Sequence, residues 1–212
     1  MSRTQILSRI KSALNKNHIF PANPHYKNVL NPQNQDLLSE YKYFQAINKA
    51  TIIDTTLQKL PEDVLKTFDS IGAQRVLYAL NLPFDFSKFE CGIEKIPYDK
   101  NIEVIRSELF KVDTSILRAV CGIANLGIVG VVSSPNCPRL SSLIAPNCVI
   151  LLDKTMIVQN LFEGTQILKN QGKDGKLPTN LLFIAGPSRT ADIELQTVFG
   201  VHGPQKVTVI LY

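Results

Sequence analysis

Leu181-Leu182-Phe183-Ile184-Ala185-Gly186-Pro187-Ser188-Arg189-Thr190-Ala191-Asp192-Ile193-Glu194, with Gly200-Val201-His202-Gly203-Pro204 close behind, is the stretch that decides the fold. An apolar run meets a Gly-Pro break, a cluster of hydroxyls and charges follows on a helix-like spacing, and a second Gly-Pro loop closes it. The order reads as strand, loop, helix, loop. It predicts a helix N-terminus, with its unpaired N–H groups, at the carboxyl end of a buried strand, where open α/β sheets bind ligands. Lys206-Val207-Thr208-Val209-Ile210-Leu211-Tyr212 then supplies a last strand.

Working outward, residues 51–53, 75–80, 128–132 and 149–152 read as strands rich in apolar and β-branched side chains. Leu37, Leu38, Tyr41, Phe44 and Ile47 recur on a helical period after Asp36. Pro61-Glu62-Asp63 opens another helix, with proline in its first turn and carboxylates where the dipole favours them, and Gly72 ends it. Asp113-Thr114-Ser115 reads as the cap of a helix through Val120, residues 157–168 as mostly helical, and residues 92–96 and 103–105 as edge strands. Gly172-Lys173-Asp174-Gly175-Lys176 is an exposed turn. Strands alternating with helices imply βαβ units and a mainly parallel sheet covered on both faces.

Ahead of this unit, Ile6, Leu7, Ile10 and Leu14 mark an amphipathic helix at 4–14. Residues 15–35, with Pro21, Pro24, Pro32 and six Asn, form a connector. The expected division is an N-terminal helix and connector at 1–35 and an α/β domain at 36–212. The 212 residues are 44% hydrophobic and 19% charged, enough for a proper core. Of the net charge of +5, the excess lies in residues 1–60. These basic residues are singly spaced without interleaved aromatics, which speaks against a nucleic-acid surface. Residues 119–138 carry no charged side chain, yet Asn125, Pro135, Asn136 and Pro138 make them a buried strand with loops rather than a membrane span. Cys91, Cys121, Cys137 and Cys148 include no C-x-x-C pair, so they read as core residues and not as ligands of zinc or an iron–sulfur cluster. With no apolar leader at the start, the cytoplasm is the expected compartment.

Two readings of Gly186, Pro187, Ser188, Arg189 and Thr190 stand side by side. In one, backbone N–H groups, two hydroxyls and a bidentate guanidinium bind a carboxylate, phosphate or nucleotide. In the other, Ser188 caps the helix and Arg189 pairs with Asp192 or Glu194. His202, next to Gly203, is either a donor or acid–base group for a ligand or a loop histidine bonded to a carbonyl. Arg139 is the only charge between Ala119 and Leu152. It either meets a ligand anion or carboxylate, or lies in water at a strand end. Neither a dinucleotide fingerprint, a Walker loop nor a nucleophile elbow is present.

The segment at 186–194 followed by Gly200-Val201-His202-Gly203-Pro204 resembles the C-terminal signature of the LUD-domain family, and of its LutC/YkgG branch in particular. Gly122-Ile123-Ala124-Asn125-Leu126-Gly127 and Arg139-Leu140-Ser141-Ser142-Leu143-Ile144-Ala145-Pro146 fall where that family has its other recognisable segments. The resemblance implies a three-layer α/β/α domain related to the NagB/RpiA/CoA-transferase-like folds, behind an N-terminal helical arm. It implies a part in oxidising L-lactate to pyruvate beside two iron–sulfur proteins, with the clusters in those partners and no cofactor in this chain. It also implies that Asn125 stands where the family pattern Ala-Glu-Thr-Gly-Thr has glutamate, so a titrating or attacking carboxylate is missing there. The expectation is an accessory or ligand-binding subunit that holds a small anion or nucleotide at a helix N-terminus with Gly186–Thr190, His202, Gly203, Arg139 and Asn125. The alternatives are an autonomous CoA-transferase/isomerase-like enzyme or a regulatory binding protein.

Overall fold

The last strand lies inside the sheet, not at its edge. In the computed structural model, which describes residues 2–17, 36–191 and 197–212, β12 (Lys206–Leu211) lies between β1 (Thr51–Asp54) and β7 (Asn147–Leu152). β4 (Thr114–Arg118), β2 (Arg75–Tyr78) and β3 (Glu94–Pro97) continue a six-stranded sheet in the order β1-β12-β7-β4-β2-β3, with every pairing parallel. The central strands Asn-Cys-Val-Ile-Leu-Leu and Lys-Val-Thr-Val-Ile-Leu are buried on both faces, as the near-continuous apolar runs of a covered parallel sheet require.

Alternate residues of these strands serve two cores. Val149, Leu151 and Ile210 face α3 (Leu60–Ile71), whose Leu60, Val64 and Phe68 are buried against them. Each such side chain contributes roughly 1.5–3 kcal/mol on burial. Pro61 stands in the first turn of α3, and Gly72, at φ 68°, ends it. Cys148, Ile150, Leu152, Val209 and Leu211 face the other way, toward Tyr41 of α2 (Leu37–Ile47). The Asp36 carboxylate caps α2 by accepting from the N–H groups of Leu38 and Ser39. On that side lies a smaller sheet, β8 (Ile157–Val158), β5 (Cys121–Ile123), β6 (Ile128–Val132) and β9 (Leu181–Ile184), in that order. α5 (Leu161–Lys169) packs on it, with Gly164 so close to β5 that a Cβ there would come 2.6 Å from Ile123 Cδ1. The fold is thus mixed α/β around a mainly parallel sheet, with a second small sheet built into one covering layer.

α1 (Arg3–Lys16) is the expected N-terminal helix, closed by a Ser2–Gln5 capping box, and none of its residues is buried. The rest of the connector, residues 18–35, lies outside the described residues. No helix among the described residues is long and apolar enough to cross a membrane; residues 119–138 are β5, β6 and their loops.

Four local expectations are corrected. Residues 114–118 form β4, not a helix: the Asp113 carboxylate accepts from the N–H groups of Gln74 and Arg75, binding β4 to the start of β2. Residues 103–105 lie in α4 (Ile102–Leu109), begun by the Asn101 side chain accepting from Glu103 N–H and buried through Ile105 and Leu109. Residues 157–158 are strand β8, and the helix after them starts only past the Asn160 cap. Arg189–Thr190 form strand β10, paired antiparallel with β11 (Val198–Phe199), so no helix starts at Ser188. Asp192 and Glu194 lie outside the described residues.

Candidate functional site

The sequence segments at 124–127, 139–146, 186–190 and 200–204 converge at the amino ends of the parallel strands, with Arg139 as the exception. Gly186 starts the convergence. At φ 75°, its Cα lies so close to the end of α2 that a Cβ would stand 2.1 Å from the Asn48 carbonyl oxygen. The Asn48 side-chain amide in turn donates to the carbonyls of Leu126 and Gly127, at 2.7 and 2.8 Å. Gly127, at φ 55°, presses on the same helix, where a Cβ would come 2.2 Å from Gln45 N. Only glycine at 127 and 186 lets these three backbones meet.

From Gly186 and the buried Pro187 the chain runs into the second loop. Ser188 N–H donates to the Pro204 carbonyl, and Gly200 N–H donates to the Ser188 carbonyl, both at 2.9 Å. Gly203 lies against the Ser188 side chain, 3.3 Å from Cβ to Cβ were a Cβ present. Gln205 and Lys206 N–H both donate to the Pro146 carbonyl, at 2.7 and 3.1 Å, which brings residues 143–146 alongside. Between these loops lies a recess of about 230 Å³, bordered by Ile144, Pro146, Gly200, His202, Gly203 and Gln205. His202 is exposed and is the one titratable side chain lining the recess among the described residues.

The expected site residues therefore divide. His202 and Gly203 line the recess, and Ser188 is bonded to its loop. Gly186 and Pro187 are buried in the joint, and Thr190 is half-buried in the β10–β11 pair. Arg189 is exposed and donates from Nη2 to the Ala185 carbonyl at 3.1 Å. With β10 extended, the oriented N–H groups of a helix start are not available at 188–190. Asn125 sits in the short 3-10 turn before Gly127, outside the recess. Its N–H donates to the Gln159 carbonyl, while both polar atoms of its side chain are buried without a hydrogen-bond partner among the described residues. Arg139 is exposed and lines a different cleft, beside Tyr98, at the carboxyl end of the sheet. Burial raises the Tyr98 hydroxyl above its usual pKa, with the Arg139 charge opposing.

Gln205, which belongs to none of the quoted motifs, borders the recess beside Pro146, the last residue of the 139–146 segment. The one sequence sign of their closeness is position, since each immediately precedes a parallel strand. Cys121, Cys137 and Cys148 are buried and Cys91 half-buried. Among the described residues, no three His, Cys, Asp or Glu side chains are grouped to hold a metal ion.

Comparison with known proteins gives this geometry a family context. Residues 3–212 match the LUD domain. An uncharacterized protein of Neisseria meningitidis serogroup B is 34% identical over 125 residues, 57% of this chain and 52% of its own length. Lactate utilization protein C of Bacillus velezensis is 37% identical over 90 residues, 42% of this chain and 37% of its own. This chain thus spans about half or less of the length of these two relatives. Lactate utilization protein C of Oceanobacillus iheyensis is 24% identical over 206 residues, covering 91% of this chain and 86% of that protein. The crystal structure of a DUF162 family protein from Deinococcus radiodurans superposes with a TM-score of 0.63 at 19% identity, over 82% of this chain and 95% of that one, a likeness of fold.

Proposed function

Because the chain belongs to the LUD-domain family, with relatives named lactate utilization protein C, we propose that it is an accessory subunit of a cytoplasmic lactate-oxidising system and binds the small acid itself. The iron–sulfur clusters of that system reside in two partner proteins. The observation that carries the ligand reading is the recess of about 230 Å³ where two family segments, 139–146 and 200–204, meet around His202. It is smaller than the roughly 300–1,000 Å³ of pockets for drug-sized ligands and suits lactate or pyruvate. His202 supplies a donor for a carboxylate or keto oxygen, and Gly203, packed against Ser188, holds the loop that carries it.

The recess offers no nucleophile and no second titratable side chain among the described residues, which favours binding over turnover by this chain. Thermal shifts of the purified protein with L-lactate and with pyruvate test the reading. A ligand at about 100 times its Kd stabilises the native state by roughly 2.7 kcal/mol. His202→Ala is expected to abolish most of that shift while leaving the unliganded melting point unchanged. An equal shift in the variant, or none with either acid, rejects the recess as the site. Oxidation of lactate by the isolated chain would make it an autonomous enzyme instead.

A further inference from the structure

The opposite end of the sheet holds a second and larger cleft, of about 700 Å³, to which the family segments contribute only Arg139. Tyr98 reaches it just past the end of β3, its N–H donating to the Tyr78 carbonyl, while Leu80 N–H past β2 donates to the Asn136 carbonyl. The cleft therefore lies outside the carboxyl ends of β2 and β3. The chain steps outward from β2 to β3, returns to β4 and proceeds the other way through β7 and β12. Strand order thus reverses between β2 and β4, and the crevice beside such a reversal is where open parallel sheets take their ligands.

The charge of the cleft is distinctive. Lys100, Arg139, Lys173 and Lys176 line it, against the single carboxylate of Asp99. None of these four cations forms an ion pair among the described residues, whereas Lys42, Arg75, Arg118 and Lys154 all do. Lys173 and Lys176 face each other across a tight turn. Asp174 and Gly175 at its tip have φ of 53° and 70°, and each lysine N–H donates to the other's carbonyl, at 3.1 and 2.9 Å. Like charges directly opposite on an antiparallel pair repel. An anion placed between them turns that repulsion into two charge-assisted contacts. Pro135, Pro138 and Leu177 give the same cleft an apolar wall.

One cation suffices for a monocarboxylate, and the His202 recess is already of that size. We propose that the carboxyl-end cleft binds a phosphate-bearing small molecule of nucleotide size, its phosphates held by Arg139 and the Lys173–Lys176 pair and its body resting on Pro135, Pro138 and Leu177. Arg139 suits this role because its planar fork grips phosphate oxygens in pairs. The Tyr98 hydroxyl adds a donor along the wall, while Ser133 Oγ is bonded to Thr179 and Asn180.

Isothermal titration with ADP, with pyrophosphate and with L-lactate tests the site, using the full chain, a Lys173→Gln/Lys176→Gln double variant and Arg139→Gln. All three positions are exposed, and unliganded melting curves establish that the variants fold. ADP is expected to bind more tightly than pyrophosphate and to weaken with added salt. The double variant and Arg139→Gln are each expected to weaken ADP binding by roughly tenfold or more. His202→Ala leaves ADP binding unchanged, so this site stands or falls apart from the lactate recess. Absence of ADP binding at millimolar concentration overturns the proposal, as does binding that the variants leave intact. Pyrophosphate binding as tightly as ADP overturns the nucleotide-sized part, and a single-stranded oligonucleotide that displaces ADP at far lower concentration reassigns the surface to nucleic acid.

Discussion

Replacing Gly186 with alanine tests whether the family signature at 186–190 is first of all a packing joint. Two costs follow from the geometry. At φ 75° an L-residue adopts the left-handed region at roughly 1–2 kcal/mol. The new methyl also falls 2.1 Å from the Asn48 carbonyl oxygen, which must retreat by more than an ångström to reach ordinary contact. Asn48 cannot retreat freely, because its own amide is bonded to the carbonyls of Leu126 and Gly127. Losing those two hydrogen bonds costs about 1 kcal/mol each, for a total of about 3–4 kcal/mol. That is a large part of a typical stability of about 5–15 kcal/mol. In a chain of this size it lowers the melting temperature by about 6–16 °C. Gly72→Ala is the control: its φ is 68° but nothing lies within 4 Å of its Cβ, so it carries the backbone cost alone. Urea unfolding of both variants, read by circular dichroism, separates the two contributions. If Gly186→Ala is no more destabilised than Gly72→Ala, the joint yields without cost and the argument for close packing at Asn48 fails.

Two other outcomes follow from buried polar groups. Burial pushes the Cys121 and Cys137 thiols up to about 11 and Cys148 up to about 12, so thiolate is scarce at neutral pH; a maleimide followed by intact-mass spectrometry is expected to label only Cys91 in the native protein and all four cysteines in urea. Asn125→Leu removes an amide whose two polar atoms lack partners among the described residues, and such a pair of orphans costs at least about 1–3 kcal/mol, so the melting temperature is expected to hold or rise; a fall of several degrees would mean that a bound molecule or water satisfies the amide.

The parallel sheet was legible because its strands announce themselves chemically. Val-Ile-Leu-Leu at 149–152 and the apolar, β-branched end of the chain have no amphipathic period and are bounded by polar or proline residues, the pattern of strands covered on both faces. Thr114–Arg118 is covered in the same way, yet Asp113-Thr114-Ser115 looks like a helix cap. The carboxylate there serves strand pairing, through the Asp113 bonds to residues 74 and 75, and that partner is distant in sequence. Arg189–Thr190 went the same way: helical spacing argued for a helix start, but the pairing with Val198–Phe199 decides the conformation. Local pattern sees caps and periods, and it cannot see which backbone will arrive alongside.

The same limit shaped the reading of the site. Arg139 stands out in sequence as an isolated charge, and the expected site joins it to Gly186 and His202. In the fold, residues 139–146 run the length of the sheet from its carboxyl end, where Asn136 bonds to Leu80, to its amino end, where the Pro146 carbonyl receives Gln205 and Lys206. One family segment therefore reaches both ends and divides its residues between them: Pro146 borders the His202 recess, and Arg139 borders the lysine-lined cleft. Lys100, Lys173 and Lys176 were invisible as a group because they are spread over more than seventy residues. A ligand at one end that alters the 139–146 segment has a direct covalent route to the other, since this one segment, a 3-10 turn at Arg139–Ser142 and the loop at 143–146, joins the two sites. If the acid and the phosphate-bearing molecule both bind, their affinities must be coupled reciprocally to whatever extent that segment shifts. Titrating ADP with and without saturating L-lactate measures the coupling, and identical affinities would show the segment to be rigid.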